Sequence, residues 1–171
     1  PEQKALTLSR PLPMGFIYPF DFGFVPGTKA EDGDPLDALV YWDVPAVPGL
    51  LLECRPLGVV ELTQHSKRKA ARERNDRLIV VPLKAERQKE LRHVHDLSPR
   101  VRAEIEQFLI SSVFFSPKAP KIIGWRGPAE ALKLLAQASR NSGDSTAKAV
   151  NADPPSRGDP PSPAQVPDTR R

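Results

Sequence analysis

The chain has 171 residues, 39% of them apolar and 27% charged, with a formal net charge of +4. That is one domain's worth of sequence, enough to bury roughly two-thirds of its unfolded surface in a single core. It carries no run near the roughly 18 apolar residues of a membrane helix, and Pro1-Glu2-Gln3-Lys4 has neither the basic head nor the apolar stretch of a secretory leader. The one cysteine, Cys54, excludes an internal disulfide and a thiolate metal cluster, which predicts a cytoplasmic protein with no membrane partner.

In chain order, Phe16-Ile17-Tyr18 and Phe22 to Val25 are aromatic and β-prone, and Leu36 to Trp42 is an apolar run of strand formers. Leu50 to Cys54, Pro56 to Thr63 and Arg77 to Val81 follow, each bounded by proline, glycine or charged turns. Spacings of about ten residues predict a small β-barrel. Ser98 is placed to N-cap a helix that opens on Pro99, with Val101, Ile105, Phe108 and Leu109 on one face. A second helix is predicted after Gly127-Pro128, with Leu132 and Leu135 on its buried side. The fold class is therefore mainly β with flanking α, the two helices coming last. Residues 1–140 form the folded domain. From Asn141 to Arg171 there is no aromatic residue, and Val150 and Val166 are the only large aliphatics. Such a proline-rich segment cannot offset its ordering entropy by burial, and a disordered tail is predicted.

Between His65 and Arg77 lie Lys67, Arg68, Lys69, Arg72, Arg74 and Arg77 against Glu73 and Asp76, which accounts for the whole positive excess. The run reads as a solvated hairpin loop. No aromatic residue stands between Trp42 and Phe108 to stack on bases, so no nucleic-acid partner is expected.

The most informative segment is Glu31-Asp32-Gly33-Asp34-Pro35-Leu36-Asp37. Carboxylates this close repel by on the order of a few kcal/mol when they converge without cations. The folded chain must either splay them into water, as an acidic Asp-Gly surface turn, or give them a metal. An EF-hand is excluded: with Asp32 as first ligand, the position that needs glycine falls on Asp37. Magnesium suits the segment better, since it takes one or two carboxylates, keeps several waters and bridges to phosphate oxygens.

Together with its neighbours, this segment resembles the type I soluble inorganic pyrophosphatase family. The resemblance rests on Tyr18-Pro19-Phe20-Asp21-Phe22-Gly23-Phe24, Asp32-Gly33-Asp34-Pro35-Leu36-Asp37, Cys54-Arg55-Pro56-Leu57-Gly58-Val59, Asn75-Asp76-Arg77-Leu78 and Gly124-Trp125. It implies a five-stranded barrel of the OB type that hydrolyses inorganic pyrophosphate with Mg²⁺ and assembles as a homo-oligomer. By the same resemblance Asp32 and Asp37 are metal ligands and Asp34 is the base for the attacking water. Arg10 and Arg77 are substrate-binding residues, and Tyr18 is either a third or a packed aromatic with one hydroxyl bond. Several positions depart from the family pattern. Gln64 stands where the family has a carboxylate, Asn75 takes a metal-ligand position that passes to Asp76 if it shifts by one residue, and Phe22 replaces a tyrosine. Ser112-Val113 replaces a Tyr-Lys pair, leaving Lys121 or Lys118 to supply the phosphate-binding cation. The family's opening strands need more residues before Tyr18 than stand there, and an earlier natural start is expected. These changes predict reduced activity; the alternative is a catalytically weak phosphate- or polyphosphate-binding protein on the same barrel.

Overall fold

The computed structural model describes residues 11–66 and 70–150, with side chains through residue 143. Arg10, Lys67, Arg68, Lys69 and residues 151–171 lie outside the described residues. The strands are β1 (Asp21–Phe24), β2 (Asp37–Val40), β3 (Cys54–His65), β4 (Arg72–Arg74), β5 (Arg77–Pro82) and β6 (Lys121–Arg126), with helices α1 (Pro99–Ser111) and α2 (Pro128–Val150). This is the mainly β, two-helix architecture expected. Helix α2 runs past residue 140, where the folded domain was predicted to end.

One sheet organises the molecule. β1 is antiparallel to β2, β2 parallel to β5, β5 antiparallel to β3, and β6 lies along the other side of β3. Among the described residues β1 and β6 are not paired with each other, so the sheet is barrel-like without a closing ladder. β4 and β5 continue one another: Gln64 faces Glu73, Thr63 faces Arg74, and after a two-residue interruption Val60 faces Arg77 in the same register. Between them the Asn75 N–H donates to the Leu62 carbonyl at 3.0 Å, while the Leu62 N–H turns to the Asp76 carboxylate at 3.0 Å.

Side-chain alternation then gives the sheet two faces. Leu39, Val60, Leu62, Ile79 and Val81 pack with Ile105, Phe108 and Leu109 of α1 on one side. Ala38, Val40, Val59, Leu78 and Val80 pack with Ala131 and Ala138 of α2 on the other. Gly58 is required where β3 passes beneath the end of β6. Its φ is +155°, and a Cβ there would stand 2.0 Å from the Arg126 carbonyl oxygen.

The α1 reading holds in detail. The Ser98 hydroxyl accepts from the Val101 N–H at 3.2 Å, Pro99 opens the helix, and Ile105, Phe108 and Leu109 are buried. For α2 the helix is where it was expected, but its buried face differs. Leu132 is 57% exposed, while Ala131 and Ala138 are buried and Leu134 and Leu135 pack partly. Small alanines let the helix axis approach the sheet closely, a fit that large aliphatics alone do not announce. Phe16-Ile17-Tyr18 and Leu50–Leu52 are loop rather than strand. β4 emerges inside the basic run, where Arg72 donates to the Thr63 hydroxyl and to the Thr63 and Ala119 carbonyls.

Candidate active site

The acidic segment joins β1 to β2, and its shape is set locally. The Val25 N–H donates to the Leu36 carbonyl at 2.8 Å, and buried Thr28 clasps both ends of the loop: its hydroxyl donates to the Val25 carbonyl at 2.6 Å and accepts from the Leu36 N–H at 3.0 Å. Inside this clasp the Gly33 N–H reaches the Ala30 carbonyl at 3.1 Å, closing a turn that needs the positive φ of +91° at Gly33. Asp32 Oδ1 accepts from the Asp34 N–H at 3.2 Å, an Asx-type bond that leaves its second oxygen unused by the turn. Asp34 is exposed, and Asp37 opens β2 on the same sheet face as Leu39.

These carboxylates influence one another. Burial raises the Asp32 carboxyl above its ordinary range; Asp34 and Glu73 add to the rise, while the Asp34 N–H and Arg77 oppose it. Asp37 is raised in the same way, by burial first, with Arg77 opposing and Asp32 and Asp34 adding. Arg77 opens β5 and forms an ion pair with Asp37 at 2.9 Å. It also donates to the Asn75 carbonyl at 2.9 Å and to the Asn75 side-chain oxygen. Burial pulls this guanidinium below its ordinary value, against the attraction of Asp37 and Asp32. Tyr18 stacks on Phe22 at 4.8 Å and tilts against Phe108 at 5.0 Å. Phe22, in place of a second tyrosine, serves here as the platform for Tyr18.

Two of the residues expected at this site point elsewhere. In the ladder Asp76 stands opposite Glu61, on the α2 face of the sheet, while Asn75 and Arg77 stand on the face of Asp37. The Asp76 carboxylate accepts from Arg74 Nη2 at 2.7 Å, from Arg74 Nε at 3.0 Å and from the Leu62 N–H at 3.0 Å. Glu61 accepts from Arg74 at 2.8 Å and from Arg126 at 2.9 Å. These residues line a cavity of about 600 Å³ between the sheet and α2. Asp76 therefore lies on the opposite face from Asn75, because adjacent residues of an extended chain leave opposite faces. Lys121 likewise lies level with Thr63, on the Arg72 and Arg74 side, and is exposed. Lys118, in the turn before β6, is the cation whose charge reaches Asp37. Glu73 was not expected at all. Its signal was present in the sequence only as an acidic residue inside a basic run, and the pairing with Gln64 is what brings it into place.

Among the described residues no three acidic, imidazole or thiol groups already close on one point. A magnesium ion does not need such a cage, since one or two carboxylates with waters suffice. The mutual repulsion of Asp32, Asp34 and Asp37 is the property a hard dication relieves, so the donor set fits that class of ion.

Comparison with known proteins gives the family. The family model described as inorganic pyrophosphatase matches residues 1–142. The chain belongs to that family. It is 37% identical over 131 residues to the inorganic pyrophosphatase of Streptomyces coelicolor, spanning 76% of this chain and 77% of the relative. It is 34% identical over 134 residues to that of Nostoc sp., spanning 78% and 76%. The crystal structure of inorganic pyrophosphatase from Thermus thermophilus superposes with a TM-score of 0.73 at 30% identity, over 80% of this chain and 77% of the other. Inorganic pyrophosphatases are metal-dependent hydrolases of pyrophosphate. In this member the aspartate loop, Arg77 and Tyr18 lie towards the sheet face that carries Asp37, while α2 covers the opposite face.

Proposed function

We propose that this chain hydrolyses inorganic pyrophosphate to two phosphates, with Mg²⁺ held by Asp32 and Asp37 and with Asp34 as general base. The observation that carries this reading is the convergence of Asp32 and Asp37, each raised by burial and by the other carboxylates of the loop, beside the cationic Arg77. When bound, the metal neutralises substrate oxygens and lowers the pKa of a water molecule. Asp34 projects from the loop beside that pair, and its carboxylate has no hydrogen bond or ion pair among the described residues, so it is available to take a proton from the attacking water. Arg77 is held rigid by Asn75 and Asp37 and presents fixed positive charge where phosphate charge develops. Lys118 contributes a second cation in place of the missing Tyr-Lys pair, and the Tyr18 ring, braced by Phe22 and Phe108, closes the apolar side. Arg10 keeps the phosphate-binding role that the family pattern assigns it.

Purified protein with Mg²⁺ and pyrophosphate is expected to release phosphate. Asp34→Asn lowers the rate by about a hundredfold or more, the usual worth of a positioned base. Equal rates in the wild type and in Asp34→Asn would remove Asp34 from the mechanism. Pyrophosphate binding without turnover would select the phosphate-binding alternative, which the uncharged amides at Gln64 and Asn75 favour. The activity belongs in the cytoplasm, which the lone Cys54 fits, and in a homo-oligomer. Support for association comes from exposed apolar side chains such as Ile17 at 81% and Phe115 at 85%.

A further inference from the structure

We propose that Glu73 is an additional acidic residue of the metal site, carrying on β4 the charge that Gln64 lacks on β3. This rests on the assignment of Asp32 and Asp37 as the metal pair. Gln64 and Glu73 are direct cross-strand partners, so their side chains leave the same face of the sheet, with Cβ atoms about 5 Å apart. Following the same ladder, that face also carries Asn75 and Arg77, and across β5 it carries Asp37. A carboxylate at Glu73 therefore enters the space beside Gln64 from the opposite strand.

The surroundings of Glu73 separate it from an ordinary hairpin residue. Both of its sequence neighbours are arginines, yet neither pairs with it. Arg72 is committed to Thr63 and Ala119, and Arg74 to Asp76 and Glu61, all on the other face. Among the described residues Glu73 makes no hydrogen bond or ion pair and is partly buried, and its negative charge reaches Asp32. The register turns Glu73 away from both arginines, onto the face of Asn75, Arg77 and Asp37, where its charge adds to the repulsion at Asp32 that a bound cation would relieve. The uncharged Gln64 and Asn75 would otherwise leave this end of the site short of negative charge, and the hairpin restores it from β4.

Magnesium binding to the metal-free full-length protein, followed by titration calorimetry, tests the assignment without reference to turnover. Glu73→Gln should weaken Mg²⁺ binding about tenfold. The double variant Gln64→Glu with Glu73→Gln returns the charge to β3 and should recover most of the loss. Asp32→Asn, run in parallel, should abolish binding. Unchanged affinity in Glu73→Gln with binding lost in Asp32→Asn would overturn the role of Glu73 alone. Unchanged affinity in Asp32→Asn would overturn the metal pair beneath it. A double variant as weak as Glu73→Gln would also refute the proposal, because charge at that place in the ladder would then not be what matters.

Discussion

Replacing Asp76 by alanine separates a structural carboxylate from a catalytic one. In the folded protein Asp76 accepts the Leu62 N–H at 3.0 Å and two nitrogens of Arg74, and its side chain is 9% exposed. Alanine leaves the Leu62 N–H without a partner on a residue that is 3% exposed, a loss of about 2 kcal/mol for a buried donor. The Arg74 side chain is 39% exposed and keeps Glu61, so its share of the loss is discounted to about 1 kcal/mol. The sum is about 3 kcal/mol, which for a domain of this size lowers the melting temperature by roughly 10 °C. Because Asp76 lies on the α2 face, the Mg²⁺ concentration giving half-maximal phosphate release should stay within about twofold of wild type when assayed well below the variant's melting point. Circular dichroism melts and a magnesium titration of activity read the two quantities separately. Asp76→Asn, which retains an acceptor for the Leu62 N–H, should lose less stability than the alanine variant. A melting temperature that barely moves, together with a magnesium requirement raised tenfold or more, would show that Asp76 is a ligand and that the face assignment is wrong.

Two other outcomes follow from the same structure. The carboxyl of Asp32 is raised above its unfolded value, so between those two values the folded state holds more proton than the unfolded, and stability falls as pH rises through that window. Metal-free Asp32→Asn should therefore match wild type below the unfolded carboxyl range, at about pH 3, and be the more stable of the two near neutral pH. Adding magnesium should reverse the order, since only the wild type binds it tightly, and a difference that does not vary with pH would contradict the raised carboxyl. Gly58→Ala places a Cβ 2.0 Å from the Arg126 carbonyl oxygen and 2.7 Å from a Val94 methyl, at a φ that L-residues avoid. It should cost at least about 3 kcal/mol in a urea melt, and a loss under about 1 kcal/mol would mean that the β3–β6 contact is looser than described.

Features held by short-range bonds were legible in the amino-acid order. Gly33 closes the acid turn, Asp32 accepts from the residue two places on, and Ser98 caps α1 through a bond three residues long. Each uses partners that neighbour one another along the chain, so local chemistry was enough. The family motifs carried the rest of the aspartate loop and Arg77 by the same linear logic. Other features depended on partners far away in sequence. Asn75 rather than Asp76 faces Arg77, Glu73 meets Gln64, Lys118 rather than Lys121 acts on Asp37, and Ala131 rather than Leu132 is buried under the sheet. All four follow from register or helix rotation, and a shift of one residue exchanges the two faces of a strand or turns a helix by about 100°. Composition is blind to such a shift because it leaves every residue type and nearly every spacing unchanged. Burial of the two sheet faces against α1 and α2 selects one register, and with it the side chains that gather around the aspartates.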